Sequence, residues 1–320
     1  MKIGSLFAGI GGIELGFLKA GFKTAWAVEL DSKACITYRA NHKHKLINDD
    51  LAKVDLKSLS KIDILTAGFP CQAFSVAGYQ KGFNDERGNV FFEILRYLDH
   101  FKPSIIFLEN VKNLFKHDKG RTFETIKEKL QKRGYFLKYQ ILNTSEYGNI
   151  PQNRERIYIV GFLDFHTYES FHFPAKIKLT RKIEHLLEKG VDKSFYYTSH
   201  RYYPELKKEL QSKETLYQWR RHYVRENKNK LCPTLTANMG TGGHNVPLVL
   251  DDDIRKLTPR ECARFQGFDD SFILPSQLSN ATLYKQIGNS VSLSVIANIA
   301  KELKKALKIP FLMKCKLKII

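Results

Sequence analysis

The feature that most restricts the fold is a short apolar run followed at once by glycines and then by an amphipathic stretch. Ile3 to Phe7 reads as a strand, Ala8-Gly9-Ile10-Gly11-Gly12 as a tight turn, and Ile13 to Lys19 as a helix closed by Gly21. Glycines let backbone N–H groups approach a ligand, which is the pattern of a dinucleotide- or nucleoside-binding unit. Alone, it is weak. A second strand, Thr24 to Val28, ends in Glu29, a carboxylate placed to accept hydrogen bonds from ribose hydroxyls or simply to face water. Leu46-Ile47-Asn48-Asp49-Asp50 is a third short strand leading into acids.

A fourth strand, Ile62 to Ala67, runs into Gly68-Phe69-Pro70-Cys71-Gln72-Ala73-Phe74-Ser75. In an open α/β sheet, ligands sit beyond the carboxyl ends of the strands, so Cys71 falls on the working edge if the sheet is parallel. The alternative is a thiol that merely fills space, as most free cysteines do. The Gly-, Asn- and Asp-rich segment after it reads as a loop, followed by a helix from about Asn89 to Phe101. Ser104 to Leu108 forms a further strand, ending in Glu109-Asn110. Thiol and carboxyl can therefore meet at one sheet edge although they lie far apart in the chain. A helix from about Thr122 to Arg133 and a strand pair around Phe136 to Leu142 follow. Arg154 and Arg156, at the start of a strand from Ile157 to Gly161, alternate onto one face. A guanidinium there suits a planar carbonyl or a phosphate, and two surface arginines beside Glu155 are the plainer reading.

Charge points to a partner. The 320 residues carry 52 Lys and Arg against 33 Asp and Glu, a formal +19, which makes a polyanion the first candidate ligand. Residues 174–231 hold a net +8 with Tyr202, Tyr203, Tyr217, Trp219 and Tyr223 among the charges, a mixture suited to phosphate contacts. The last 20 residues add a lysine-rich block that reads as solvated surface. Five cysteines without a C-x-x-C pair support neither a disulfide framework nor a zinc site, so free thiols and no metal are expected. No run is apolar enough to span a bilayer and no leader is evident, so a cytoplasmic location is expected. Beyond Pro174 the strand–helix rhythm gives way to loops and short strands, including Asn238-Met239-Gly240-Thr241-Gly242-Gly243-His244-Asn245. Thr258 and Pro259 then read as N-cap and first turn of a helix, and a final helix is expected from about Val291 to Leu307.

In order, Leu6 to Gly12, Gly68 to Gln72, Glu109-Asn110-Val111, Gln152 to Arg156, Arg260 to Arg264 with Gln266-Gly267-Phe268, and Gly288 to Val291 resemble the motifs of the C5-cytosine DNA methyltransferases. The resemblance covers most of the chain. It implies an α/β fold: a Rossmann-like S-adenosylmethionine-dependent methyltransferase domain with a mixed, mostly parallel sheet, plus a smaller irregular DNA-recognition domain. The expected boundaries are 1–173 for catalysis and cofactor, 174–270 for target recognition, and 271–320 for a segment whose helix returns to the catalytic domain. It also implies that Cys71 adds to C6 of cytosine as a thiolate, that Glu109 holds N3 and the exocyclic amine, and that Arg156, with Arg154 beside it, steadies O2.

S-adenosylmethionine would be held by Phe7, Ala8, Gly9, Ile10, Gly11, Gly12, Glu29, Leu30, Asp50, Pro70, Asn289, Ser290 and Val291. Two positions depart from the family's pattern: Ser5 stands where aspartate is frequent, and Leu30 where an aromatic often stacks on adenine. Duplex DNA is the expected partner of a monomer, touched by Gln72, Ser75, Arg220, Arg221, Asn238, Gly242, Gly243 and His244, with Phe74 to Asn89 as a lid over a flipped base. A restriction–modification role is the family-level expectation. A tRNA cytosine-5 methyltransferase and a catalytically silent DNA-binding relative are the alternatives.

Overall fold

Strands whose apolar residues run on at successive positions rather than alternating are buried on both faces. Two of them, β4 (Ile64–Gly68) and β5 (Ile105–Val111), form the middle of the main sheet. The computed structural model describes residues 1–70, 90–220, 223–241 and 245–316, with side chains as far as residue 308. The elements before and around that pair are β1 (Lys2–Leu6), α1 (Gly12–Lys19), β2 (Lys23–Glu29), α2 (Ser32–Asn41), β3 (Lys45–Asn48) and α3 (Val90–Phe101). After it come α4 (Arg121–Gln131), β6 (Phe136–Asn143), α5 (Thr144–Tyr147), β7 (Glu155–Phe162) and α6 (Phe165–Ser170). The seven strands lie in the order β3-β2-β1-β4-β5-β7-β6, parallel except that β7 opposes both of its neighbours.

Period-two alternation divides the core. Leu65, Ala67, Ile106 and Leu108 join Phe91, Ile94 and Leu98 of α3 and Phe123 and Ile126 of α4 on one face. Ile64, Ile105 and Phe107 meet Ile13 and Phe17 of α1 on the other. There they also pack on Val295, Ile299 and Leu303 of α10 (Leu293–Lys316). The closing helix thus lies beside the first one, although it is the last element in the chain.

A smaller antiparallel sheet follows. It uses β8 (Tyr217–Arg220), β9 (Tyr223–Glu226), β10 (Leu248–Leu250) and β11 (Ile254–Lys256), in the order β11-β10-β8-β9. Helix α7 (Tyr203–Glu209) packs on it through Leu206, beside Tyr217, Leu248 and Ile254. Helices α8 (Pro259–Phe265) and α9 (Asn280–Asn289) then lead back to α10. Among the described residues no helix is long and apolar enough to cross a membrane.

Several boundaries differ from the sequence reading. Phe136–Asn143 is one strand rather than a pair, because β7 supplies hydrogen bonds along its whole length. Glu109 lies inside β5 rather than after it, since β7 pairs on through Val111. Gln286 to Asn289 end α9, and α10 begins only at Leu293, running past Leu307. The Thr258 cap is present: its hydroxyl accepts from Glu261 N while the Glu261 carboxylate accepts from Thr258 N at 2.8 Å, a reciprocal capping box.

Candidate active site

The strand order turns back at β1, whose neighbours are β2 and β4, and in open α/β sheets the ligand crevice lies at the carboxyl ends of the strands at such a point. Three groups of candidate residues meet there. The first is the glycine turn. Phe7 takes a left-handed backbone at φ 54°, followed by Gly9 at 57° and Gly11 at 87°. For phenylalanine this conformation is uncommon and strained, the kind of backbone found where a chain is shaped for a ligand. A Cβ added to Gly9 would have no atom within 4 Å, so the turn borders open space there. One on Gly11 would overlap the imidazole of half-buried His42. One on Gly12 would lie 2.7 Å from Val291 Cγ2 and 2.9 Å from Ser290 Oγ, so these two residues are in place against the turn. Asn289, the last residue of α9, sits just before them.

Glu29 closes β2 with both carboxylate oxygens engaged: Gly9 N donates to Oε2 at 2.7 Å and Asp31 N to Oε1 at 2.7 Å. The carboxylate therefore ties the turn to the second strand and still has lone pairs on the crevice side. Leu30 is 66% exposed, an apolar surface at the crevice mouth, with its carbonyl fixed by Asn48 at 3.0 Å. Asp50 donates its backbone N–H to Asp49 Oδ1 at 2.7 Å and uses its own Oδ1 to cap a short turn through Ala52 N at 3.0 Å. Ser5 is fully buried and accepts from Thr66 Oγ1 at 3.0 Å. A carboxyl stands close to it after all, that of Glu14 on α1. Burial pushes Glu14 up to about 7 against the opposing pull of its own backbone amide, Ser5 and Tyr38.

The second group is an acid and an arginine. Register places Gly68 of β4 opposite Glu109 of β5, and Val111 opposite Arg156 of β7, so carboxyl and guanidinium come to one side of the sheet. Arg156 Nε lies 3.3 Å from Glu109 Oε1 as an ion pair, yet Oε1 has no hydrogen-bond donor among the described residues. Burial raises the Glu109 carboxyl above its ordinary value, with Arg156 and then Arg154 pulling the other way. A carboxyl so placed gives up its proton less readily than an exposed one. Asn110, whose task the sequence reading left unassigned, donates from Nδ2 to Phe69 O at 2.9 Å and so fixes the chain at the approach to Pro70. Pro70 is exposed at that edge. Cys71, Gln72 and Ser75, with the loop to Asn89, lie outside the described residues, as do Arg221, Gly242, Gly243 and His244.

The third group joins distant parts of the chain. Arg154 is buried and precedes β7; Nη1 donates to Leu235 O at 2.8 Å and Nη2 donates to Ser290 O. Its guanidinium is engaged by main-chain carbonyls, whereas that of Arg156 faces Glu109. Residues 151–154 run alongside 232–235: Cys232 N donates to Pro151 O at 2.7 Å, Asn153 N to Cys232 O at 2.8 Å, and Thr234 Oγ1 to Asn153 O at 2.6 Å. No sequence signal announces this pairing, because neither segment is a regular strand. Asn238 lies exposed on a short turn, and Arg220 is exposed at the end of β8, its Nη2 donating to Gln218 Oε1 at 3.3 Å.

Residues 1–305 match the family described as C-5 cytosine-specific DNA methylase. The chain belongs to that family. Among the methylase's relatives, the type II methyltransferase M.Bsp6I of Bacillus sp. (strain RFL6) is 54% identical over 314 residues, 96% of this chain and 99% of that protein. M.NlaX of Neisseria lactamica is 40% identical, covering 96% of this chain and 97% of its own. The crystal structure of S. pombe Dnmt2 methyltransferase superposes with a TM-score of 0.74 at 22% identity, over 96% of this chain and 99% of the other, a likeness of fold.

Proposed function

We propose that this methylase transfers a methyl group from S-adenosylmethionine to C5 of a cytosine turned out of a short, specific site in duplex DNA, in the manner of a restriction–modification enzyme. One observation carries the reading: a buried Glu109, with an oxygen that has no hydrogen-bond donor among the described residues and with Arg156 alongside, opposite the strand that leads to Cys71. The glycine turn fits the cofactor, since open space at Gly9, the Glu29 carboxylate and the apolar face of Leu30 line one crevice. When bound there, S-adenosylmethionine supplies an electrophilic methyl group.

The chain's own residues account for the rest. Cytosine C5 is a poor nucleophile until electron density is pushed into the ring. Cys71, as a thiolate, would form a bond to C6. Glu109 would grip N3 and the exocyclic amine, giving N3 a proton as negative charge moves into the ring, while Arg156 would stabilise charge at O2. Loss of the C5 proton and departure of the Cys71 sulfur would then restore the double bond. Extracting the base from its stack costs about a few kcal/mol, which DNA contacts made elsewhere must offset. In this reading 1–173 carries chemistry and cofactor, 174–270 reads the target, and 271–320 returns α10 to the first unit.

The test uses purified protein, S-adenosylmethionine labelled in its methyl group, and duplex DNA. Label should appear as 5-methylcytosine, and Glu109→Gln should slow transfer by roughly 100- to 10,000-fold while calorimetric binding of S-adenosylmethionine persists. Label entering tRNA but not duplex DNA would shift the substrate, and DNA binding without any transfer would leave only a binding protein.

A further inference from the structure

The hairpin of β8 and β9 stands at the end of the small sheet, with β9 as its edge strand. Its two faces differ. Trp219 and Val224 are register partners turned to the small core, whereas Gln218 pairs with Arg225 and Arg220 with Tyr223 on the opposite face. Gln218, Arg220 and Arg225 form one wall of a groove of about 640 Å³, and Asn153, Thr234 and Asn245 belong to the rest of its lining. Asn153 is the residue immediately before Arg154, and Thr234 the one immediately before Leu235, whose carbonyl Arg154 holds. The groove therefore borders the two segments that Arg154 joins.

Arg225 is exposed, and its guanidinium makes no hydrogen bond or ion pair with any described residue. Next to it, Gln218 receives Arg220 Nη2 on its oxygen, which leaves the amide nitrogen directed elsewhere. A two-stranded ribbon fits the major groove of B-DNA, and a planar fork of N–H donors on such a ribbon matches the O6 and N7 acceptors of guanine. Lys228, just beyond β9 and lining the same groove, is by contrast a point charge suited to phosphate.

We propose that Arg225, flanked by Gln218, is a specificity-determining residue that reads a guanine in the duplex site from the major groove. This rests on the methyltransferase reading above and adds to it which side chain recognises a base, and which base. Guanine follows from the donor geometry alone, because Arg225 offers no acceptor and adenine presents only one acceptor on that edge.

The experiment expresses the full chain and its variants in cells carrying a plasmid library of randomised duplex sites, and maps 5-methylcytosine by bisulfite sequencing. The wild type should mark sites that share a fixed guanine at one position. Arg225→Ala should mark sites with any base there and methylate the parent site roughly tenfold to a hundredfold more slowly. Arg225→Lys keeps the charge, so the salt dependence of DNA binding should be retained while the guanine preference is lost. Lys228→Ala should slow all sites alike and leave the preference intact. An Arg225→Ala enzyme as strict as the wild type, or one slowed equally at every sequence, would overturn the assignment while leaving the methyltransferase reading in place. A wild-type chain that leaves no 5-methylcytosine would overturn both.

Discussion

Replacing Glu14 by glutamine should stabilise this protein, and by an amount that depends on pH. Glu14 lies in the first turn of α1, where the helix N-terminus favours a negative charge, yet its side chain is 1% exposed and desolvation prevails. In the folded chain the carboxyl titrates at about 7 against an ordinary value of 4.5. A folded-state value above the unfolded one means that the group's stabilising contribution is complete below about pH 4.5. It is progressively lost as pH rises and has gone once pH passes about 7. Each pH unit in that window costs about 1.4 kcal/mol, so at pH 8 the wild type should lie about 3 kcal/mol below the variant. Glutamine keeps the volume and still presents an oxygen to Tyr38 Oη, which donates to Oε1 at 3.3 Å. Urea unfolding followed through Trp26 and Trp219 would measure both proteins between about pH 5 and pH 8.5. The difference should be under about 1 kcal/mol at the acid end and should grow steadily to its plateau. A difference that stayed constant with pH would refute a carboxyl held neutral behind the glycine turn.

Two further perturbations probe the turn and the small sheet. Gly11→Ala places a Cβ against His42 at a left-handed position and should cost about 2 to 4 kcal/mol in urea unfolding. Gly9→Ala, with open space around it, should cost no more than about 2 kcal/mol yet weaken S-adenosylmethionine in calorimetry; equal losses of stability in the two would contradict this geometry. Arg255 is fully buried and donates to both oxygens of buried Glu261, at 2.8 and 2.9 Å, and to Asp251. Arg255→Ala, leaving Glu261 without its counter-charge, should cost about 3 to 5 kcal/mol of unfolding free energy, and a loss below about 1 kcal/mol would mean the carboxylate is satisfied without it.

What could be read in advance followed from local patterns. Apolar runs ending in glycine or in an acid marked β1, β2, β4 and β5 and the edge at which their candidate residues gather, because period and turn chemistry act over a few residues. Thr258 and Pro259 announced α8 for the same reason. The arrangement of Arg154 was not legible. Its partners are main-chain carbonyls at Leu235 and Ser290, and a carbonyl carries no residue-type signal. Glu14 was passed over as one more polar residue in an amphipathic helix; only the packing of Ser5 and Tyr38 around it makes it a buried acid. The Arg260 to Arg264 motif is legible as part of that helix and by its resemblance, but what its charged residues hold is not. The structure gives it physical work, with Glu261 in the capping box and the Arg255 pair, and Arg264 held by Asp270 at 2.8 Å.

The grip of Arg154 on two carbonyls has a consequence for how the molecule comes into being. A chain leaving the ribosome exposes Glu109 and Arg156 long before Leu235 and Ser290 have been made, so the corner beside them lacks its clasp until about nine-tenths of synthesis is over. A truncated or half-made copy then holds Glu109 and Arg156 without the clasp beside them. The corner is complete only once the last tenth of the chain is being made.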